Sequence, residues 1–212
     1  MTVAAQRRGF NDAVTRFWGF AAPAYNLPFL QKWVYRPAHD EVVAQLRNHQ
    51  SARVADIACG TGLLADRIQR ELHPAQVYGV DMSEGMLHQA RARSAQVQWL
   101  RGPAERLPFE DGALDAVVTT SAFHFFDQPA ALRDFHRVLA SGGLVAVSTL
   151  YSRRPRLRGS ATSRWKPAHH PSSAEMRRLF EGAGFVVDEQ HPVRRPLITR
   201  AISDLITVGI KS

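Results

Sequence analysis

Val54-Ala55-Asp56-Ile57-Ala58-Cys59-Gly60-Thr61-Gly62 is the stretch that decides the fold. It is a short apolar run that carries one acidic residue and ends in glycines, and an apolar periodic segment, Leu63 to Leu72, follows at once. This order predicts a strand, a tight glycine-rich turn and a helix, the opening of a βαβ unit. Since ligands of open α/β sheets bind beyond the carboxyl ends of the strands, the turn predicts a ligand-binding edge.

Strands and helices alternate after this turn. We predict strands at residues 76–81, 97–101, 114–120 and 144–149, with helices over residues 84–93 and 129–139. A helix to Ala183 and two final strands, 185–189 and 205–210, follow, and no helix of good length separates those two strands. A parallel pair would need a longer crossover, so the last strand is expected to be antiparallel. The sequence thus predicts an α/β fold with a doubly wound, mostly parallel, seven-stranded sheet.

Two segments lie outside this alternation. Residues 1–50 are helical in pattern and rich in aromatic residues, and we expect them to form a helical lid that covers a substrate before the domain of residues 51–212. Core or lid packing is the simpler interpretation of these aromatic residues, and contact with a membrane surface remains open. Residues 151–171 form a basic loop that holds six of the cationic side chains and no Asp or Glu.

The net charge and the cysteine content limit which partners and which cellular compartment we expect for this protein. The formal net charge of +8 is concentrated in the basic loop, which could steer an anionic substrate, lie on anionic lipid, bind nucleic acid or simply be a solvated loop. We predict that this loop borders the substrate pocket or is disordered without ligand. The single cysteine, Cys59, cannot form an internal disulfide, and no apolar run reaches the roughly 18–20 residues that span a bilayer. We therefore expect a cytoplasmic protein.

An acidic residue at the end of the second strand indicates the ligand. Asp81 lies 19 residues after Gly62, the spacing at which a carboxylate accepts both hydroxyls of a ribose. Met82 offers a soft apolar surface for a purine. Gly60-x-Gly62-x-x-Ala65 also fits a dinucleotide fingerprint. About 50 residues precede it, however, and the chain has little room for a second nucleotide half, so NAD is disfavoured.

Four ordered segments resemble the successive motifs of class I S-adenosylmethionine-dependent methyltransferases. They are Val54–Gly62, Gly79–Ser83, Glu105–Val117 and Arg137–Gly143. The small-molecule subgroup that includes ubiquinone/menaquinone C-methyltransferases is the most similar, and Phe17–Asn26 resembles it more loosely. The resemblance implies a Rossmann-like methyltransferase fold, with S-adenosylmethionine as cofactor and S-adenosylhomocysteine as product.

The resemblance also implies roles by position. Asp56, Ala58, Cys59, Gly60 and Gly62 would hold the methionine part of the cofactor. Asp81 would take the ribose hydroxyls and Met82 would pack on adenine, while Ala104 and Glu105 would lie at the adenine edge and Ser121 at the methionine amino end. Pro103 stands where the family often has an adenine-binding Asp, and proline has neither a carboxylate nor an N–H. Adenine recognition must therefore use other groups, such as Glu105 or the backbone.

The acceptor side is less defined. His124 is the candidate general base, because the pKa of an unperturbed histidine lies near neutrality, but it could equally cap or pack locally. Tyr25 is a candidate pocket residue. His169 and His170 have no cysteine or carboxylate spaced to complete a ligand set, so no metal site is expected.

These features predict methylation of a small aromatic or apolar acceptor at oxygen or carbon. Thr120-Ser121-Ala122-Phe123 stands where enzymes that methylate base amino groups carry an Asn/Asp-Pro-Pro-aromatic motif, which disfavours nucleic acid as a partner. A cofactor-binding protein without turnover and an RNA-directed methyltransferase that uses the basic loop remain as alternatives. Peripheral membrane contact and the oligomeric state stay open.

Overall fold

The computed structural model describes residues 31–151, 169–199 and 202–212. Seven strands form one sheet in the order β3-β2-β1-β4-β5-β7-β6. Their bounds are β1 Arg53–Ile57, β2 Gln76–Asp81, β3 Gln98–Arg101, β4 Leu114–Thr120, β5 Leu139–Leu150, β6 Phe185–Pro192 and β7 Asp204–Lys211. Strands β1 to β5 pair in parallel, whereas β7 pairs antiparallel with both β5 and β6.

In the described residues, five α-helices connect and cover these strands. They are α1 Arg36–His49, α2 Leu63–Leu72, α3 Glu84–Arg93, α4 Gln128–Val138 and α5 Ser173–Gly182. Side chains cap three of their N-termini, because Ser83, Asp127 and Ser172 accept hydrogen bonds from backbone N–H groups of the first helical turn. A single π-helical turn, Gln31–Tyr35, leads into α1.

The sheet separates two apolar layers. Val117 on β4 belongs to the layer beneath α4 and α5, which includes Phe135 and Phe180. The neighbouring Ala116 and Val118 point to the other face, where α1 and α2 pack. Successive residues of a strand face opposite sides, so both faces of a parallel sheet must be apolar. This explains why β4 reads as a nearly continuous apolar run.

Arg137 on α4 holds the loop that follows β3. Its guanidinium donates to the carbonyls of Leu107 and Phe109 and to the carboxylates of Asp111 and Asp134. Asp134 in turn accepts from the backbone N–H of Leu107. The Arg137 guanidinium therefore joins the segments 105–117 and 137–143, two of the segments that resemble methyltransferase motifs.

The predicted fold class is confirmed, including the antiparallel last strand. Helix α1 begins at Arg36, because Pro37 fits the first turn of a helix. Strand β5 begins at Leu139, before the predicted start at residue 144. In the described part of the chain, no helix has the length and apolarity to cross a bilayer.

Candidate functional site

The turn after β1 has the sharp backbone that its glycines predict. Ala58 and Gly60 both adopt the left-handed conformation, with φ of 56° and 55°. The backbone N–H of Cys59 donates to the carbonyl of Val80 at 3.1 Å, which joins the turn to β2. Since the left-handed region costs a non-glycine residue roughly 1 kcal/mol, Ala58 is held there by the surrounding structure.

Asp81 organises this turn from the end of β2. One carboxylate oxygen, Oδ2, accepts from the Gly60 N–H at 2.9 Å, and the other, Oδ1, accepts from the Ser83 N–H at 2.8 Å. Burial raises the pKa of Asp81, and the N–H groups of Ser83, Gly60 and Met82 oppose that rise by stabilising the carboxylate. A carboxylate offers about four lone-pair sites, so this one can still accept a hydroxyl of a ligand.

A cavity of about 450 Å³ opens beyond the carboxyl ends of the parallel strands. Its volume lies within the range of about 300–1,000 Å³ that is usual for small-molecule sites. Eight of the residues predicted from the sequence line it: Ala58, Gly60, Asp81, Met82, Ala104, Glu105, Ser121 and His124. The structure therefore brings most of the predicted site together at one edge of the sheet.

Asp56, Cys59 and Gly62 do not line this cavity. Asp56 is fully buried, and burial followed by the charge of Asp81 raises its pKa well above the usual range. Burial also raises the pKa of the Cys59 thiol. Gly62 begins α2 with φ of 79° and lies against Trp99, whose Cη2 atom would be 2.4 Å from an added Cβ.

Glu105 and Ser121 connect the strand ends. The carboxylate of Glu105 accepts from the backbone N–H of Asp127 at 2.8 Å, which joins the loop after β3 to the start of α4. Ser121 has φ of 57°, and its backbone N–H donates to the Ser148 carbonyl on β5 at 2.9 Å. Both residues therefore hold the wall of the cavity as well as facing into it.

His124 lies on a 3₁₀ turn, Phe123–Phe125, directly after β4. Its Nδ1 atom is 3.4 Å from the Thr149 hydroxyl, and its ring centroid is 5.2 Å from that of His170. Burial, and then the charge of His170, lowers the pKa of His124 to about 4. The imidazole is therefore neutral at physiological pH.

We call eight lining residues that the sequence did not predict the outer half of the cavity, and the remaining lining residues its inner half. The outer half consists of Val34, Tyr35, Phe125, Phe126, Leu150, Arg195, Ile202 and Asp204. An apolar wall is formed by Val34, Phe125, Phe126, Leu150 and Ile202. Tyr35, Arg195 and Asp204 add polar groups, and burial raises the pKa of Tyr35. Phe125 and Phe126 follow β4 directly and could have been chosen on that basis. Arg195 lies between β6 and β7 and Asp204 begins β7, and no local motif marks either residue.

Several predictions concern residues outside the described ranges. Tyr25, residues 1–30 of the predicted lid and residues 152–168 of the basic loop are among them. The flanks of that loop are described: Leu150 lines the cavity, and the backbone N–H of His169 donates to the His124 carbonyl at 2.9 Å. Within the described ranges, no group of three or more His, Cys, Asp or Glu could hold a metal ion.

Comparison with known proteins identifies the central segment. Residues 54–143 match the family model described as a methyltransferase domain. A demethylmenaquinone methyltransferase of Thermus thermophilus is 41% identical over 100 residues, which are 45% of this chain and 46% of that protein. A malonyl-[acyl-carrier protein] O-methyltransferase of Erwinia pyrifoliae is 34% identical over 140 residues, 66% of this chain and 52% of that protein. The chain thus spans about half the length of these curated relatives.

Solved structures share the fold over most of the chain. The complex of the Haloferax volcanii Trm112 methyltransferase activator with a methyltransferase matches with a TM-score of 0.71 at 22% identity, covering 91% of this chain and 96% of the matched one. A methyltransferase of Thermotoga maritima matches with a TM-score of 0.69 at 24% identity, covering 92% and 98%. The predicted resemblance to S-adenosylmethionine-dependent methyltransferases is therefore confirmed: residues 54–143 match a methyltransferase domain, and the solved neighbours share the fold.

Proposed function

We propose that this protein transfers a methyl group from S-adenosylmethionine to a small aromatic or apolar acceptor. The observation that carries the proposal is the Asp81 carboxylate, which faces the cavity while two backbone N–H groups hold its oxygens. The methyltransferase domain of residues 54–143 contains the strands whose ends form this part of the cavity. When bound, the cofactor supplies an electrophilic methyl group on a sulfonium.

The residues of the inner half fit this cofactor. Asp81 would accept the ribose hydroxyls, and the side chains of Met82 and Met86 supply soft apolar surfaces beside it for a purine. Gly102 and Ala104 line the cavity on either side of Pro103, which itself does not. The adenine edge would therefore be read by the backbone here, since the Glu105 carboxylate already accepts from Asp127.

The chain's main contribution to the reaction is alignment. Holding two reactants in line can lower a barrier by about 7–11 kcal/mol in favourable cases. The neutral imidazole of His124 offers a hydrogen-bond acceptor to a hydroxyl of the acceptor molecule. A group with a pKa of about 4 is a weak base at pH 7, so we assign His124 to orienting the acceptor rather than to removing a proton.

The apolar outer wall supports a flat or apolar acceptor. Two phenylalanines, Phe125 and Phe126, stand beside Leu150 and Ile202. Curated relatives are named for demethylmenaquinone and for malonyl-[acyl-carrier protein], which differ in charge and in aromatic character. An aromatic quinol fits this wall better than a malonyl carboxylate does, because the charge of Arg195 is already paired with Asp204.

Calorimetry with S-adenosylmethionine tests the cofactor assignment. Asp81→Ala removes the proposed ribose acceptor and should weaken binding about 100-fold or more, since each hydrogen bond to a charged group is worth about 1.5–3 kcal/mol. Asp188→Ala is the matched control, because Asp188 is an exposed carboxylate on β6 outside the cavity lining. Unimpaired binding by Asp81→Ala would refute the ribose assignment.

Transfer of a labelled methyl group tests the reaction itself. The wild-type chain should label a demethylated naphthoquinol in preference to a malonyl thioester. Cofactor binding without transfer to any component of a metabolite extract would favour a binding protein without turnover. Transfer to RNA in the same assay would favour the RNA-directed alternative.

A further inference from the structure

Arg195 and Asp204 form a buried ion pair in the outer half of the cavity. The Nη2 group of Arg195 donates to Oδ2 of Asp204, and the two side chains are only 2% and 3% exposed. Asp204 is paired with Leu150 at the carboxyl end of β5. The ion pair therefore lies at the same edge of the sheet as Asp81 and the predicted cofactor site.

The same guanidinium reaches the segment before α1. Its Nη1 group donates to the Val34 carbonyl at 2.7 Å and to the Trp33 carbonyl at 3.4 Å. Val34 and the adjacent Tyr35 both line the cavity. Arg195 thus fixes one wall of the outer half by connecting the segment before α1 to the start of β7.

One N–H donor of this guanidinium has no hydrogen-bond partner in the described structure. This donor is the Nε–H group of Arg195, which is buried. A buried donor without a partner costs about 1–3 kcal/mol, and native proteins rarely leave one unpaired without a functional reason. An apolar pair of similar volume would fill the same space at no such cost, so stability alone does not explain the ion pair.

We propose that Arg195 is a specificity-determining residue of the acceptor site, whose Nε–H group donates a hydrogen bond to an oxygen of the acceptor. The inference rests on the proposed function, because it names the group that orients the acceptor of that reaction. Among the described residues that line the cavity, Arg195 supplies the one cation, and Asp204 neutralises it. The site therefore selects an uncharged hydroxyl or carbonyl oxygen on an apolar body, and it does not select a free carboxylate.

A ligand pair that differs by one oxygen tests this directly. The probes are 1-naphthol and 1-methylnaphthalene, titrated by NMR into the chain saturated with S-adenosylhomocysteine. The wild type should bind 1-naphthol about tenfold more tightly, the ratio expected for one hydrogen bond to a charged group. In the double variant Arg195→Met/Asp204→Leu, the ratio of the affinities for 1-naphthol and 1-methylnaphthalene should fall to about twofold or less.

A second variant keeps the inference testable if the double variant does not fold. Arg195→Lys keeps a cation beside Asp204 but has no Nε–H group, and it should also lose the preference. The affinity for S-adenosylhomocysteine, measured in the same samples, should change less than about twofold, since Arg195 lies in the outer half. Equal preference in the wild type and both variants, or no preference in the wild type, would overturn the inference.

The titration does not depend on turnover. A chain that binds 1-naphthol through Arg195 but never transfers a methyl group would contradict the proposed function and support this inference. A chain that transfers methyl groups but shows no Arg195-dependent preference would support the proposed function and contradict this inference.

Discussion

Gly79 in the middle of β2 is the position where adding one methyl group should disturb the sheet most directly. A Cβ atom there would lie 2.3 Å from Cζ3 and 2.4 Å from Cε3 of the Trp99 ring, and 3.1 Å from the Cys59 sulfur. The ring has little freedom to move away, because its Nε1 group donates to the Ser94 carbonyl at 2.9 Å and the same ring covers Gly62.

Two effects of opposite sign determine how much Gly79→Ala changes the free energy of unfolding. Overpacking of this kind costs about 1–3 kcal/mol. Replacing glycine by alanine also lowers the conformational entropy of the unfolded chain, which stabilises the folded state by about 0.4–1 kcal/mol. We expect Gly79→Ala to lose about 1–2 kcal/mol of unfolding free energy, which corresponds to a fall in melting temperature of about 2–8 °C for a chain of this size.

Urea denaturation followed by circular dichroism measures this loss as a lower midpoint with an unchanged m-value. Gly182→Ala is the matched control, because no heavy atom lies within 4 Å of an added Cβ there. Gly182 ends α5, where alanine should stabilise by about 0.5 kcal/mol. In a Trp99→Leu background, Gly79→Ala should become nearly neutral. A Gly79→Ala variant as stable as the wild type would refute the reasoning.

Two further predictions concern buried titratable groups. Burial and the nearby Arg67 guanidinium lower the pKa of His39 to about 3, so the unfolded chain takes up this proton near pH 6.5 and the folded chain does not. Stability should therefore fall as the pH drops from about 6.5 towards 3, and His39→Gln should reduce the loss measured by urea midpoints between pH 7 and pH 4 by about 3 kcal/mol. An unchanged pH slope in that variant would contradict the assignment. Burial, with the charges of Asp56 and Asp81, raises the pKa of Cys59 well above its usual range. Ellman's reagent at pH 8 should consequently react with the native chain at least about tenfold more slowly than with the urea-unfolded chain, and equal rates would show that the thiol is accessible.

The sequence predicted the parts of this molecule whose determinants are local. Strand, glycine turn and helix follow one another in residues 54–72, and the acidic residue at the end of β2 marks the ligand edge in any sheet of this order. The antiparallel last strand was predictable from the missing crossover between β6 and β7. Asp56 illustrates the limit, because its place in the motif does not reveal that its side chain is buried away from the cavity.

The acceptor half depended on long-range pairing and could not be predicted in the same way. Arg195 reaches a carbonyl at Val34, which is 161 positions away in the chain. Asp204 enters the cavity only because β7 pairs with β5. His124 was predicted as a candidate general base and lines the cavity, but its neutral state depends on burial and on His170, whose approach no local pattern indicates.

The position of β7 between β5 and β6 has a consequence for how the chain folds. Strands β1 to β5 can assemble from residues 53–150, but β6 has no partner in the sheet until residues 204–211 insert beside it. Such non-local pairing is slow, because the loop entropy is lost before the contacts form. On a ribosome, the edge of the sheet that holds Asp81 would therefore form before the wall that contains Arg195 and Asp204.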